Sequence, residues 1–479
     1  MTWWIRHRVQ RAPSIAVAPA FRHVAGPPAD DTDDEVDMTE GTSDVRAADV
    51  APPTRRETRK VLLATGIGHF VEWFEMGIYG TLATSIAANF FAPGDPTAAL
   101  LSTFALFAVS FVVRPLGGLF WGPLGDRIGR QKVLALIVLI TSGATFLIGV
   151  LPTYATVGAL APLLLVLARL VQGFAAGGES ASATTLLFEY APRGRRGFLT
   201  SWIDTFGFLA FVAGSGLALL LTTVLGDAAM GDWGWRIPFL LALPLGLVGL
   251  YLRVRMEDTP EFRRLEKLGE IAQSPVREAF RTGGTAMLLL AGMVVIKAVA
   301  HWTLQTYMPS HLAQTLGFSS VQSFQVTTAC LAVVAVLVPF MGALSDRVGR
   351  KPLLVAGAGG FLLLSYPAFW LMSQGSFALA FLAMALLGVL IAAFDGAVSA
   401  AMAELFPPRT RNGAIAIPYN IAVALFGGTA PYLAGMLVAA TGSPISPAFY
   451  IMFVAAISLG TVLRLRETAG RRAPADAAP

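Results

Sequence analysis

Glu72, Glu75, Arg169, Asp204, Lys297, His301 and Asp395 stand inside long apolar stretches of a 479-residue chain. An ionisable group in such surroundings is costly unless it faces protein or water, so position alone makes each a functional candidate. Glu72, Glu75 and Tyr79 fall at i, i+3 and i+7 and share one helix face. A carboxyl shielded from water holds a proton more readily than one in water, which suits Glu72 and Glu75 to carrying a proton. The alternative is a structural acid held by a fixed basic partner.

Arg169, Gln172 and Glu179 also share a face. The planar fork of arginine takes a carboxylate through two donors. Arg169 therefore either binds an acidic substrate head or partners Glu72, Glu75 or Glu179, and both hold if substrate competes with a carboxylate. Lys297 and His301 lie at i and i+4, with Trp302 and Tyr307 close behind. As two extra cations they favour an anionic substrate over a zwitterion; alternatively Lys297 snorkels or pairs with Asp395. His301 also suits a proton relay, since free imidazole titrates near pH 6.5. Asp204 and Asp395 sit nearer one end of their stretches, as titrating groups, gates or inter-helix hydrogen bonds.

The elements that must position these residues follow from composition. Hydrophobic residues make up 55% and charged residues only 14%, against roughly 25% charged in a soluble chain, and the mean hydropathy is +0.64. Lipid is therefore the expected solvent. Apolar stretches of roughly 20 residues, enough to cross a bilayer core, recur at 61–87, 98–121, 132–152, 157–187, 198–225, 235–254, 285–312, 321–344, 352–373, 376–402, 411–440 and 446–465. The prediction is an all-α membrane protein with twelve transmembrane helices. Residues 1–56, polar and acidic, are expected to be a disordered segment. The helices divide into 57–254 and 285–466, joined by a basic loop at 255–284 and followed by a short tail at 467–479. Loops on one side carry 26 lysines and arginines against Arg236 alone on the other, which places both termini in the cytoplasm.

The same composition excludes several classes. One cysteine, Cys330, and five scattered histidines argue against a disulfide framework or a metal site. No phosphate-binding G-x-x-x-x-G-K-[ST] loop is present, so ATP is not the energy source. No nucleophile–base pair suggests an enzyme. The net charge of +5 follows from topology and calls for no nucleic acid. No cofactor or obligate protein partner is expected; the expected partners are lipid, a small solute and a coupling proton.

Gly122-x-x-x-Asp126-Arg127-x-Gly129-Arg130 returns 220 residues later as Gly342-x-x-x-Asp346-Arg347-x-Gly349-Arg350. Glu189-x-x-Pro192-x-x-x-Arg196 likewise returns as Glu404-x-x-Pro407-x-x-x-Arg411. The chain thus reads as two parallel six-helix halves around a midplane cavity, the plan of an alternating-access carrier. Each loop aspartate can accept hydrogen bonds from a helix N-terminus, where the dipole favours negative charge.

The doubled G-x-x-x-D-R-x-G-R loop resembles the signature of the major facilitator superfamily. Gly68-His-Phe-Val-Glu72-Trp-Phe-Glu75, Arg114-Pro-Leu-Gly-Gly, Arg169-Leu-Val-Gln172-Gly, Ser201-Trp-Ile-Asp204 and Trp233-Gly-Trp-Arg236 resemble its metabolite:proton symporter branch over about residues 60–468. The likeness runs nearest to proline/betaine carriers, with α-ketoglutarate, citrate and shikimate permeases as relatives. It implies proton-coupled uptake of a small carboxylated or zwitterionic solute across a bacterial inner membrane. It also implies a gate made by Asp126, Arg127, Arg130, Asp346, Arg347 and Arg350 that latches the cytoplasmic side. His69 and Glu75 replace the branch's usual Asn and Asp, and Lys297 and His301 replace uncharged residues. A proton-driven exporter, a uniporter and a non-transporting membrane sensor remain the alternatives.

Overall fold

The structure, a computed structural model, describes residues 55–128, 130–177, 182–192, 194–254, 275–407 and 411–469. The N-terminal segment up to residue 54, the central loop at 255–274, Glu179, and the tail from 470 lie outside the described residues. So do the side chains of Asp126, Arg127 and Arg130.

Helices make up the described fold. The first half runs α1 (Arg55–Thr81), α2 (Ala83–Phe90), α3 (Pro96–Ile128), α4 (Arg130–Val150), α5 (Leu160–Ala176), α6 (Ser182–Tyr190), α7 (Arg196–Ala229) and α8 (Arg236–Val254). The second runs α9 (Pro275–Trp302), α10 (Ser320–Val348), α11 (Arg350–Met372), α12 (Phe377–Glu404), α13 (Arg411–Ala422), α14 (Ala430–Thr441) and α15 (Pro447–Arg464). In hydrocarbon each backbone N–H must find its partner inside its own segment, and leucine-, alanine- and valine-rich runs do this as helices. Among the described residues, nine helical stretches are long and apolar enough to cross a membrane, and Leu160–Ala176 and Arg236–Tyr251 are shorter apolar helices. With α1–α2, whose buried acids lower its hydropathy, they make the twelve spans.

The structure departs from expectation where regular helix gives way. The first span breaks into α1 and α2 at Leu82. The seventh span starts at Gly284, one residue from the expected 285, and its helix extends back to Pro275, because proline tolerates the first helical turn, where its missing N–H has no partner to lose. Wider π-turns occupy Met230–Gly234, Thr303–Tyr307, His311–Thr315 and Val423–Gly427. Such turns gather at functional sites, and two lie on the seventh span just beyond His301.

The two halves meet chiefly where α7 packs on α10 and where α1 and α3 face the seventh and eleventh spans. On the arginine-rich side, Arg411 Nη1 lies 3.2 Å from Glu189 Oε1. Midway, Thr328 donates to Ser215 at 2.9 Å. On the opposite side Gly80 touches Thr306, where any Cβ would collide with the threonine side chain, and Phe104 meets the Tyr307 ring at 5.9 Å. An aromatic layer of Trp73, Phe107, Phe111 and Trp302 fills the centre, with the two tryptophans stacked 5.4 Å apart at 5°.

Candidate functional site: two buried charge clusters

Three helices bring the first cluster together across the boundary between the halves. Lys297, on α9, donates to Asp204 of α7 at 2.6 Å and to Asp395 of α12 at 3.2 Å. His301, one turn beyond Lys297, bonds through Nε2 to the other oxygen of Asp395, and Gln305 approaches its Nδ1 at 3.1 Å. Ser399 Oγ completes Asp204 at 2.8 Å. All four ionisable groups are buried. Asp204, His301 and Asp395 converge closely enough to hold a metal, but the Lys297 ammonium bridges the two carboxylates. Counting charges, two carboxylates face one ammonium and one imidazole. The cluster carries −1 when the imidazole is neutral and becomes neutral on taking up one proton.

This arrangement revises the expectation for Lys297 and His301. They add no surplus positive charge, because Asp204 and Asp395 match them, so the argument for a more anionic substrate loses its basis.

The second cluster lies in the first half, where the two arginines bond to neutral side chains. Glu75 is buried and accepts from Ser142 of α4, and Glu72 Oε2 lies 3.9 Å from His69 Nδ1. Arg169 is fully buried: Nη1 donates to Gln172 at 2.5 Å, Nη2 to Ser110 at 2.9 Å, and the guanidinium lies 4.0 Å over the Tyr79 ring. Gln172 is in turn fixed by Thr145 at 2.7 Å. No carboxylate among the described residues lies within 4.0 Å of Arg169. Its observed partners are therefore neutral, and its pairing with Glu179 falls outside the described residues. Arg114, buried on α3, donates to the Met76 sulfur at 2.6 Å and stacks on Phe111 at 4.5 Å, while its Nε has no partner.

Two cavities flank this second cluster. The larger lies between the halves, with Trp73, Arg114, Lys297, His301, Trp302 and Tyr419 on its walls. The smaller is inside the first half and reaches Glu75, Ser110 and Gln172. Glu72, Met76 and Arg114 line both. Of the predicted binding residues, Lys297, His301 and Trp302 face the larger cavity and Gln172 the smaller. Tyr79, whose hydroxyl donates to the Thr103 carbonyl at 3.1 Å, and Arg169 stand behind the wall. Tyr307 also stands behind it, 3.1 Å from His311 Nδ1. Sequence reasoning passed over Arg114, Trp73, Tyr419, Ser142 and Ser399. Arg114 had a signal, since it opens the Arg-Pro-Leu-Gly-Gly run inside an apolar stretch, as ionisable as Arg169.

At the arginine-rich face, Asp346 accepts from the N–H groups of Gly197 and Phe198 at 2.8 and 2.9 Å, capping α7 from the other half. Arg350 ties Asp346 at 2.8 Å to Glu404 at 3.2 Å. Arg347 is exposed. A strap unseen in the sequence supports this network: the carboxylate of Glu467 accepts from the N–H groups of Arg350 and Lys351 at 2.8 and 3.0 Å, and Thr468 donates to Glu404 at 2.6 Å. Gly349, at φ 103°, leaves no room for a side chain against Glu467. Partial burial works to raise the Glu467 pKa, but four backbone N–H donors outweigh it and hold the carboxyl below its ordinary value of 4.5.

Membrane-length helices in two halves define a multi-pass membrane protein, and the comparisons with known proteins make it a transporter. The sequence pattern of the major facilitator superfamily matches residues 65–329 and 290–479, and the chain belongs to that superfamily. It is 40% identical over 422 residues to the glycine betaine/proline/ectoine/pipecolic acid transporter OusA of Dickeya dadantii, covering 86% of this chain and 84% of that protein. It is 39% identical over 433 residues to the ectoine/proline transporter ProP of Corynebacterium glutamicum, covering 88% and 86%. The fold matches the xylose transporter XylE from E. coli in a partially occluded inward-open conformation, with a TM-score of 0.68 at 18% identity over 87% of this chain and 99% of that one.

Proposed function

We propose that this chain is a proton-coupled symporter that takes up a small zwitterionic solute of the proline or betaine type, seated in a bacterial inner membrane with both termini cytoplasmic. One observation carries the coupling: two carboxylates, one ammonium and one imidazole bond to one another across the boundary between the halves, a set that is one proton short of neutrality whenever the imidazole is neutral. A net buried charge opposes closing a dry cavity around it, whereas a neutral cluster does not. Proton uptake on the outside therefore favours occlusion, and proton loss on the inside resets the cycle. Close groups of this kind titrate as a set, so the proton belongs to the cluster.

The relatives' substrates are zwitterions, and the cavity agrees with them: Arg114 and Glu72 provide one positive and one negative group, with Trp73 and Trp302 between the halves. Asp346, capping α7 across the boundary, serves as the cytoplasmic latch released when the halves rock, and Asp126 takes the symmetric role. The coupling ion is the only cofactor this cycle needs. Radiolabelled uptake into proteoliposomes under an inward proton gradient tests the reading. Betaine or proline should accumulate and a protonophore should abolish it, with α-ketoglutarate left outside. Accumulation of α-ketoglutarate without betaine would overturn the substrate class, and betaine uptake indifferent to the gradient would overturn the coupling.

A further inference from the structure

Arg114 is the least satisfied buried cation in the described membrane interior. Arginine has five donors and cannot shed its charge at physiological pH. Its companions here are a thioether, a weak acceptor, and the face of Phe111, while Nε is buried without a partner. No carboxylate among the described residues comes within 4.0 Å of it; Glu72 is a charged neighbour on the same walls. Arg169 shares the unpartnered Nε but differs otherwise, since its two terminal nitrogens are taken up by Gln172 and Ser110 and it faces neither cavity. Lys297 differs too, being bound to two carboxylates. Of these three cations, Arg114 alone combines a place on the cavity wall with an unused donor.

We infer that Arg114 is the receptor for the substrate carboxylate, and that Glu72 with the Trp73 and Trp302 rings receives the cationic end. A buried guanidinium without an anion gains most from one that brings two oxygens, because the planar fork matches a carboxylate. The ammonium end finds an acid on the same wall and aromatic faces suited to a cation. The clamp is one positive and one negative group, so it fits a molecule whose carboxylate and ammonium lie a bond or two apart. A dicarboxylate would set its second acid against Glu72. Selection between these classes therefore rests on Arg114 and Glu72, while Lys297 and His301 serve the proton.

This inference rests on the symport reading for its substrate class, but binding tests it separately. The probes are glycine betaine and its amide, which replaces the carboxylate by a neutral carboxamide at nearly the same size. Equilibrium binding to the purified full chain should favour betaine over the amide. Arg114→Gln should weaken betaine about 10- to 100-fold, the loss of a hydrogen bond to a charged group, and should remove most of the preference over the amide. Arg114→Lys should recover part of that preference, keeping the charge without the fork. Unchanged betaine affinity in Arg114→Gln, or equal loss of betaine and amide, would overturn the inference. If Arg114→Gln does not fold, competition on the wild-type protein decides: an amide that displaces betaine as well as betaine itself refutes a carboxylate receptor. A wild type that binds betaine in this pattern but fails to accumulate it under a proton gradient would sink the symport reading and leave the clamp standing.

Discussion

The two clusters each hold two carboxylates among basic groups but arrange them oppositely. Asp204, Asp395, Lys297 and His301 bond directly to one another across the boundary between the halves. In the first half, Glu72, Glu75, Arg114 and Arg169 are interleaved with Met76, Ser110, Ser142 and Gln172. Directly paired charges are hard to draw apart, so the first cluster suits holding the halves and sensing one proton. Arginines bonded only to neutral groups leave a cation ready for an incoming anion, so the second suits a solute. On the proposed reading the contrast divides the tasks: protons to the bridge, substrate to the second cluster.

The largest effect should come from breaking the bridge at its centre. Lys297→Met strands two buried carboxylates and should lower stability by about 3–5 kcal/mol, read as thermal melting in detergent. Adding Asp204→Asn and Asp395→Asn to it should restore most of that stability but not transport. A Lys297→Met protein that melts like the wild type would mean that the bridge is not a unit. Next comes Arg169→Gln, which loses charged hydrogen bonds to Gln172 and Ser110 and the stacking on Tyr79. It should cost about 1–3 kcal/mol with the KM for betaine held within twofold, because Arg169 stands behind the wall. A tenfold rise in KM would move Arg169 into the substrate site and blur the contrast with Arg114.

Smaller effects belong to the latch. Asp346→Asn weakens the cap on α7 by about 1 kcal/mol and should open the loop face more often. Cys330 is buried, so maleimide labelling of an introduced Thr200→Cys reports that opening with little background, and labelling should rise in the Asp346→Asn background. Unchanged labelling would remove Asp346 from the latch. The smallest effect is expected at Glu467. Its folded-state pKa is depressed, so its contribution is present above the unfolded value and is lost as pH falls through the folded one. The melting temperatures of wild type and Glu467→Gln should therefore differ modestly at pH 7 and converge as pH drops below 4.5. A gap constant with pH would show that the Glu467 charge does not matter to the strap.

Much of this was legible in the sequence. Apolar length and the doubled Asp-Arg-x-Gly-Arg loop gave twelve spans and two halves, and the capping bonds of Asp346 followed from its place beside a helix start, whereas its latch role came only with the family resemblance. The depth of Lys297, His301, Asp204 and Asp395 marked all four. The Lys297–Asp395 pair stood among the alternatives, but the links of Lys297 to Asp204 and of His301 to Asp395 were not legible, because they join residues 93 and 94 positions apart on three helices, and periodicity orders residues only within one helix. That hidden pairing is also why two cations seemed to argue for an anionic solute. The break at Leu82 escaped for a related reason: apolar composition persists through a kink and does not record backbone geometry. Glu467 was invisible because its partners are backbone N–H groups, which any sequence supplies.

The division of labour is tested most directly by Asp395→Asn, which leaves Arg114 and Glu72 untouched and removes one acid from the bridge. Two assays on the same proteoliposomes suffice: betaine accumulation under a proton gradient, and betaine counterflow without one. The account predicts that accumulation is lost while counterflow persists with a KM within a few-fold of the wild type. Gradient-driven accumulation at the wild-type level in Asp395→Asn would contradict it, and so would a KM raised in step with the loss of accumulation.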